Sequence, residues 1–231
     1  MIAVVTGGTK GIGLAIVESL AEQGYDIITC SRNNQELENL VSHITTTYKV
    51  NINAFVVDMS NKSEVKSFAE EVNNIGVVSV LVNNAGVFIP GEITKEDDGN
   101  LELMVETNLY SAYYLTRAIL PKMIKSGKGH IFNMCSVASK VAYPNGGSYS
   151  ISKFGLLGFS KVLREEMKPK GIKVTSILPG ATWSNSWAGV DLPNERLMQA
   201  SDIAKLITNA LSLSDAANIE EIIIRPQLGD L

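Results

Sequence analysis

Residues 6–13 read Thr6-Gly7-Gly8-Thr9-Lys10-Gly11-Ile12-Gly13 and join the β-branched run Ile2–Thr6 to a segment of helical period, Gly11–Gln23. Gly7 permits a tight turn. Gly11 and Gly13 let the backbone approach a diphosphate and the helix pack closely. The free N–H groups at the helix N-terminus then face the anion. The spacing is not the common G-x-G-x-x-G. Its place between a first strand and a first helix makes it a dinucleotide-binding loop, with Thr9, Lys10 and Ile12 carried along it.

Working outward, the pattern repeats. Short apolar runs lie at Ile2–Thr6, Asp26–Cys30, Asn51–Val57, Val78–Val82, His130–Met134, Lys173–Leu178 and Ile219–Arg225. Between them, Gly11–Gln23, Asn34–Tyr48, Lys62–Asn74, Asp97–Lys125, Tyr149–Lys168 and Asp202–Ser212 carry apolar residues at i, i+3, i+4 and i+7. Leu14, Val17 and Ala21 set that face in the first helix. Alternation of this kind predicts an α/β chain, a doubly wound parallel sheet with right-handed crossovers and helices on both faces. No linker or repeat interrupts it, so residues 1–231 are expected to form one domain. The one long irregular stretch expected is Pro179–Ala200, a candidate lid.

Composition narrows the class. The chain has 231 residues, 45% of them hydrophobic, and a net charge of −4. That suits a single sizeable core. No Lys/Arg run suggests a nucleic-acid groove, and no run reaches the roughly 18 apolar residues of a membrane span. The two cysteines, Cys30 and Cys135, end apolar runs and read as small core residues. His43 and His130 read as structural or solvated, and no zinc-ligand spacing occurs, so no metal is expected. A cytoplasmic, reducing setting is expected.

Ligands of such sheets bind beyond the carboxyl ends of the strands. Ser31-Arg32 follows the second strand, where an NAD-preferring protein usually places an acidic residue. Arg32 and Lys10 instead offer cations to a ribose 2′-phosphate, which predicts NADP(H). Asp58-Met59 follows the third strand. Asp58 suits an adenine amino group or, alternatively, a cap for the helix Lys62–Asn74. Tyr149 and Lys153 stand four residues apart on one helix face. A free phenol titrates near 10, and bringing it close to neutrality takes roughly 4 kcal/mol from a neighbouring cation.

These residues together resemble the short-chain dehydrogenase/reductase family from Ile2 to about Arg225. The loop matches T-G-x-x-x-G-x-G, Asn83-Asn84-Ala85-Gly86 matches N-N-A-G, and Tyr149 with Lys153 matches Y-x-x-x-K. Ser136 and Asn108 stand where the family keeps its catalytic serine and asparagine, and Pro179-Gly180 opens the nicotinamide-side loop. The family's usual threonine in that loop is Ser184 here, with Thr182 a rival, so the resemblance assigns the carboxamide contact to the segment Thr182–Ser184 without singling out one side chain.

The resemblance implies a Rossmann-type seven-stranded sheet of order 3-2-1-4-5-6-7. It also implies hydride transfer between nicotinamide and a carbonyl or carbinol carbon. Tyr149 would be the proton donor, Lys153 its pKa-lowering partner, Ser136 the donor to the substrate oxygen, and Asn108 the holder of a water leading to solvent. Asn84, Ala85 and Gly86 would lie along the cofactor. The 2′-phosphate favours the reducing direction. Trp183, Trp187, Leu192 and Met198 on the lid, with Phe88, Val137 and Tyr143 opposite, are the apolar candidates around the substrate. The two tryptophans read equally well as anchors of the lid or of a subunit contact. A 3-oxoacyl thioester, a diketone, a pterin side-chain ketone and a sugar-like ketone stay open. A non-catalytic nucleotide sensor should lack part of the tetrad, which this chain keeps. An epimerase or dehydratase would need a larger C-terminal domain. Pairing through the helices Asp97–Lys125 and Tyr149–Lys168 predicts a homodimer or homotetramer, with Leu109, Ala112, Tyr113, Thr116, Phe154, Leu157 and Leu163 serving the contact or the core.

Overall fold

The structure is a computed structural model that describes residues 1–184 and 191–230. Among these, seven strands form one sheet: β1 (Ile2–Thr6), β2 (Asp26–Ser31), β3 (Ile52–Val56), β4 (Val78–Asn83), β5 (Gly129–Met134), β6 (Ile172–Pro179) and β7 (Glu221–Ile224). Their order is β3-β2-β1-β4-β5-β6-β7, and every neighbouring pair is parallel. The predicted Rossmann-type sheet is therefore present in the predicted order.

Side chains alternate between the two faces of each strand, and each face has its own core. Ala3, Val5, Ile27, Val82 and Phe132 pack on α1 (Gly11–Glu22), α2 (Asn34–Tyr48) and α7 (Ala200–Leu211). Val4, Ile28, Leu81, Ile131 and Val174 pack on α3 (Lys62–Ile75), α5 (Ser111–Ser126) and α6 (Gly147–Met167). Strands buried on both faces explain the nearly unbroken apolar runs. Asn33 caps α2 by accepting from the Glu36 N–H, and Asn61 caps α3 by accepting from Ser63 and Glu64. The α3 cap is thus Asn61, which removes the capping alternative for Asp58.

Two expectations need correction. The helix expected at Asp97–Lys125 is broken. α4 (Asn100–Val105) leads through a wide π turn, Glu106–Tyr110, into α5. Gly99, at φ 93°, stops the helix from extending upstream of Asn100. The loop after β6 is also not the only long irregular stretch. Residues 84–99 form another, tied to residues 145–148 by a Gly91–Gly146 bridge and by the Ser148 N–H donating to Glu96 Oε1 at 3.1 Å. Its apolar start, Val87-Phe88-Ile89-Pro90, gives no local sign of these contacts.

The apolar set proposed for subunit contact divides. Ala112, Thr116, Leu157 and Leu163 are buried in the core, and Leu109 packs against it. Tyr113 and Phe154 are exposed, along with Tyr110, Ile151 and Val162. No described helix is long and apolar enough to cross a membrane.

Candidate active site and cofactor cleft

β1 is the point where the chain order reverses: β2 lies on one side and β4 on the other. Loops leaving β1 and β4 diverge there, and a crevice opens at their carboxyl ends. A single cleft of about 1460 Å³ fills this position. That exceeds the roughly 300–1,000 Å³ of an ordinary small-ligand pocket and leaves room for a dinucleotide beside a substrate.

The cleft floor is the glycine loop. Gly7 lies at φ 69°, a conformation that side chains resist. A Cβ on Gly13 would come within 2.1 Å of the Gly7 carbonyl, so α1 meets the loop in backbone contact. The Thr6 hydroxyl accepts from the N–H groups of Asn84 and Ala85 at 3.0 and 2.9 Å. Asn84 Nδ2 donates back to the carbonyls of Thr6 and Gly7. The two loops that flank the crevice are thereby locked together. Every predicted cofactor residue lines this cleft: Gly7, Thr9, Lys10, Gly11, Ile12, Gly13, Ser31, Arg32, Asp58, Met59, Asn84, Ala85, Gly86, Tyr149, Lys153, Pro179, Gly180, Thr182 and Ser184.

At the outer end, Ser31, Arg32 and Asp58 stand at the ends of β2 and β3. Burial pushes the Asp58 carboxyl up, but the Ser60 N–H and hydroxyl, with the Arg32 charge, bring it below its usual value. Burial pushes the Cys30 thiol up to about 12, which leaves it inert beside Met59. Sequence reasoning missed Glu36 here. It lies in the first turn of α2, and its carboxylate reaches the loop: Lys10 Nζ stands 2.5 Å from Oε1, and the Thr9 hydroxyl donates to Oε2 at 3.1 Å. The Lys10 hydrogen bond holds the Glu36 carboxyl below its usual range. An acidic residue five positions past the strand end was too far along the sequence to be read as part of the site.

At the inner end, Ser136 follows β5, and Tyr149 and Lys153 lie in the first two turns of α6. The Ser136 hydroxyl points to the Pro179 carbonyl at 3.5 Å and accepts from the Ala138 N–H at 3.1 Å. Tyr149 packs edge-on against Phe88, with ring centroids 4.8 Å apart. Burial raises the Tyr149 phenol above its ordinary value, and a hydrogen bond with Ser136 works against that rise. Lys153 is 5% exposed, donates to the Met134 carbonyl at 2.8 Å, and lies 5.7 Å from the Tyr149 ring centre. Burial pulls its ammonium down to about 8.

Asn108 occupies the π turn. Its Oδ1 accepts from the Val87 N–H at 2.7 Å, and its Nδ2 donates to the Val87 carbonyl and the Ser152 hydroxyl. Its side chain is 3.2 Å, and Lys153 Nζ 3.6 Å, from where a Cβ on Gly86 would sit, so the two flank that glycine.

The substrate side is mixed. Phe88, Val137 and Tyr143 line the cleft as expected. Met198 does not: it is buried with α1 and α7, and its carbonyl accepts from the Trp183 N–H. Trp187 lies outside the described residues. Val141, Arg225 and Asp230 line the cleft without having been foreseen. Arg225 Nε stands 3.1 Å from Asp230 Oδ2, and the other Asp230 oxygen accepts from the Ala181 N–H at 2.9 Å. Arg196 holds the Gly229 and Asp230 carbonyls. These residues meet only through the folded C-terminal segment, which has no periodic signal. Among the described residues, no cluster of metal-ligating side chains occurs.

Residues 1–193 match the family model described as short chain dehydrogenase. The chain is 30% identical over 226 residues to an uncharacterised oxidoreductase of Staphylococcus saprophyticus, with 97% of both chains covered. The fold matches an alcohol dehydrogenase of the archaeon Thermococcus sibiricus, solved with 5-hydroxy-NADP. The TM-score is 0.91 and the identity 25%, covering 100% of this chain and 98% of that one. It also matches a metagenomic short-chain oxidoreductase solved with NADP, at a TM-score of 0.85 and 28% identity, covering 98% and 97%. A glycine loop locked to the N-N-A-G turn, a tyrosine and lysine one turn apart at the sheet's carboxyl edge, and a match over most of its length agree: the chain belongs to the short chain dehydrogenase family of oxidoreductases.

Proposed function

We propose that this protein is an NADPH-dependent reductase of a ketone or aldehyde, with Tyr149 as proton donor. The observation that carries the reading is the inner end of the cleft. Ser136, Tyr149 and the buried Lys153 converge there, in the same cavity as the glycine loop. The outer end fits a dinucleotide: Gly13 has no room for a side chain, Gly7 holds a left-handed φ of 69°, and Arg32 and Lys10 suit a 2′-phosphate. The NADP-bound alcohol dehydrogenase and short-chain oxidoreductase that it matches support the same cofactor.

When bound, NADPH supplies the reducing equivalent. The chain's own residues do the rest. Ser136 donates a hydrogen bond to the substrate oxygen, where negative charge grows. Tyr149 gives that oxygen its phenolic proton, and Lys153 stabilises the phenolate left behind. Asn108 acts as a positioning residue: it ties Val87 to Ser152 and flanks Gly86 together with Lys153. Phe88 holds the Tyr149 ring at its angle. Thr182 and Ser184 bind the carboxamide side of the nicotinamide. The exposed apolar face of Tyr110, Tyr113, Ile151, Phe154 and Val162 pairs two copies of the chain, and sedimentation at micromolar concentration tests this. A cytoplasmic setting accords with a reducing cofactor and two unpaired cysteines.

The test of the function is NADPH oxidation with a panel of ketones, diketones, 3-oxoacyl thioesters and sugar-like ketones. Turnover of at least one, lost in Tyr149→Phe, is the expected result. Full activity in that variant would overturn the assignment.

A further inference from the structure

Glu36 places a carboxylate in the outer cleft, where the end of β2 itself has none. Its oxygens are held by three groups. Oε1 takes Lys10 Nζ at 2.5 Å and Asn33 Nδ2 at 3.0 Å, and Oε2 takes the Thr9 hydroxyl at 3.1 Å. Two of those groups belong to the glycine loop. The Lys10 side chain is 52% exposed and that of Glu36 25%, so the pair sits at the rim and is open to exchange with a ligand. A 2′-phosphate approaching Lys10 meets a carboxylate already bound to it, and two like charges then share one cation. A ribose that carries a free 2′-hydroxyl has the opposite need, an acceptor, which Glu36 supplies.

We infer that Glu36 sets the nucleotide preference of this chain. It competes with the 2′-phosphate for Lys10 and accepts from a free 2′-hydroxyl. The protein therefore binds both NADPH and NADH, with a narrower preference than Lys10 and Arg32 alone would give. This inference rests on the proposed cofactor reading. A purely structural role is the competing account, because Asn33 and Glu36 also cap α2: Asn33 Oδ1 accepts from the Glu36 N–H at 3.2 Å. Glu36→Gln separates the two. It keeps the shape and an acceptor, and loses the charge.

The experiment titrates adenosine 2′,5′-bisphosphate, adenosine 5′-monophosphate, NADPH and NADH into the full chain by calorimetry. Wild type, Glu36→Gln, Lys10→Met and the double variant are compared. The expected result is bisphosphate and NADPH binding about fivefold tighter in Glu36→Gln, the scale of a rim ion pair released. Monophosphate and NADH should bind equally or more weakly. In the Lys10→Met background the tightening should vanish. A bisphosphate-to-monophosphate affinity ratio within about twofold of wild type, or a gain that survives without Lys10, overturns the inference. If Glu36→Gln lowers the melting temperature, Glu36→Ser is the second variant and carries the same expectation. Wild-type protein that binds neither NADPH nor the bisphosphate overturns the cofactor reading and this inference with it. Binding with an unchanged ratio overturns this inference alone.

Discussion

At the outer end of the cleft, Lys10 keeps about half of its side chain in solvent and is paired with a carboxylate. At the inner end, Lys153 is 5% exposed and donates to a carbonyl, that of Met134, with no ion-pair partner among the described residues. The same residue type is thus used in two ways. A rim ion pair is weak, screened by salt and easily exchanged for a ligand's charge. A buried ammonium costs stability but is fixed in place, here 5.7 Å from the centre of the Tyr149 ring, whose phenol burial still holds above its ordinary value. On the proposed reading, the outer end serves selection and the inner end chemistry.

The sharpest way to break that division is Tyr149→Phe. The ring and its edge-on contact with Phe88 survive, and only the proton donor is lost. The kcat of reduction should fall about 10³-fold, within the usual range for a positioned acid. The NADPH dissociation constant, measured by fluorescence, should stay within about twofold. A kcat within tenfold of wild type would move the chemistry elsewhere.

Lys153→Met sharpens the comparison through stability. Burial lowers this ammonium from 10.5 to about 8, which corresponds to roughly 3 kcal/mol of folding free energy withheld. Losing the bond to the Met134 carbonyl returns about 1 kcal/mol of that. The variant should therefore be more stable than wild type by about 2 kcal/mol at neutral pH in denaturant melts, while losing activity. Between about 8 and 10.5 the unfolded chain still binds a proton that the folded chain has released. This group's contribution therefore makes wild-type stability rise with pH across that window, and its cost is fully present below it. In the variant that rise should be missing. A variant less stable than wild type at neutral pH would show that the ammonium is not a burden on the fold.

The two ends also differed in how well they could be read. The strand–helix alternation, the glycine loop and the Tyr149–Lys153 pair were legible because each is a local signal: a period, a turn or a one-turn spacing. The sheet order and Ser136 came from the family resemblance those motifs carry. The structure brings all of them to one cleft. Glu36 was hidden because it reaches the loop from a helix that begins after Asn33. Asn108 was found by its motif, yet its tie to Val87 depends on a π turn that helical period cannot reveal. Residues 84–99 and the Arg225–Asp230 pair are long-range arrangements, made by contact with residues 145–148 and with Ala181. Their positions follow from the folded sheet, and nothing in their own sequence forecasts them.

Arg32→Ala probes the outer end directly. Loss of a planar cation from the 2′-phosphate should weaken NADPH binding about tenfold and leave NADH binding and kcat nearly unchanged. Equal losses for the two nucleotides would place Arg32 on the shared part of the cofactor.

Ionic strength gives the smallest effect and tests both ends in one assay. Screening shortens as salt rises, from about 10 Å at 0.1 M to about 3 Å at 1 M, and it acts on exposed charges far more than on buried ones. Salt weakens the attraction of Arg32 and Lys10 for the 2′-phosphate. It also weakens the grip of Glu36 on Lys10, so the two changes partly cancel. The KM for NADPH should rise only about threefold over that range, and that for NADH should stay flat. The kcat should not follow, because Lys153 is buried away from the solvent ions. In Glu36→Gln the opposing change is gone, and the KM for NADPH should climb more steeply with salt than in wild type. An equal slope in the two proteins would mean that Glu36 and the phosphate do not share Lys10.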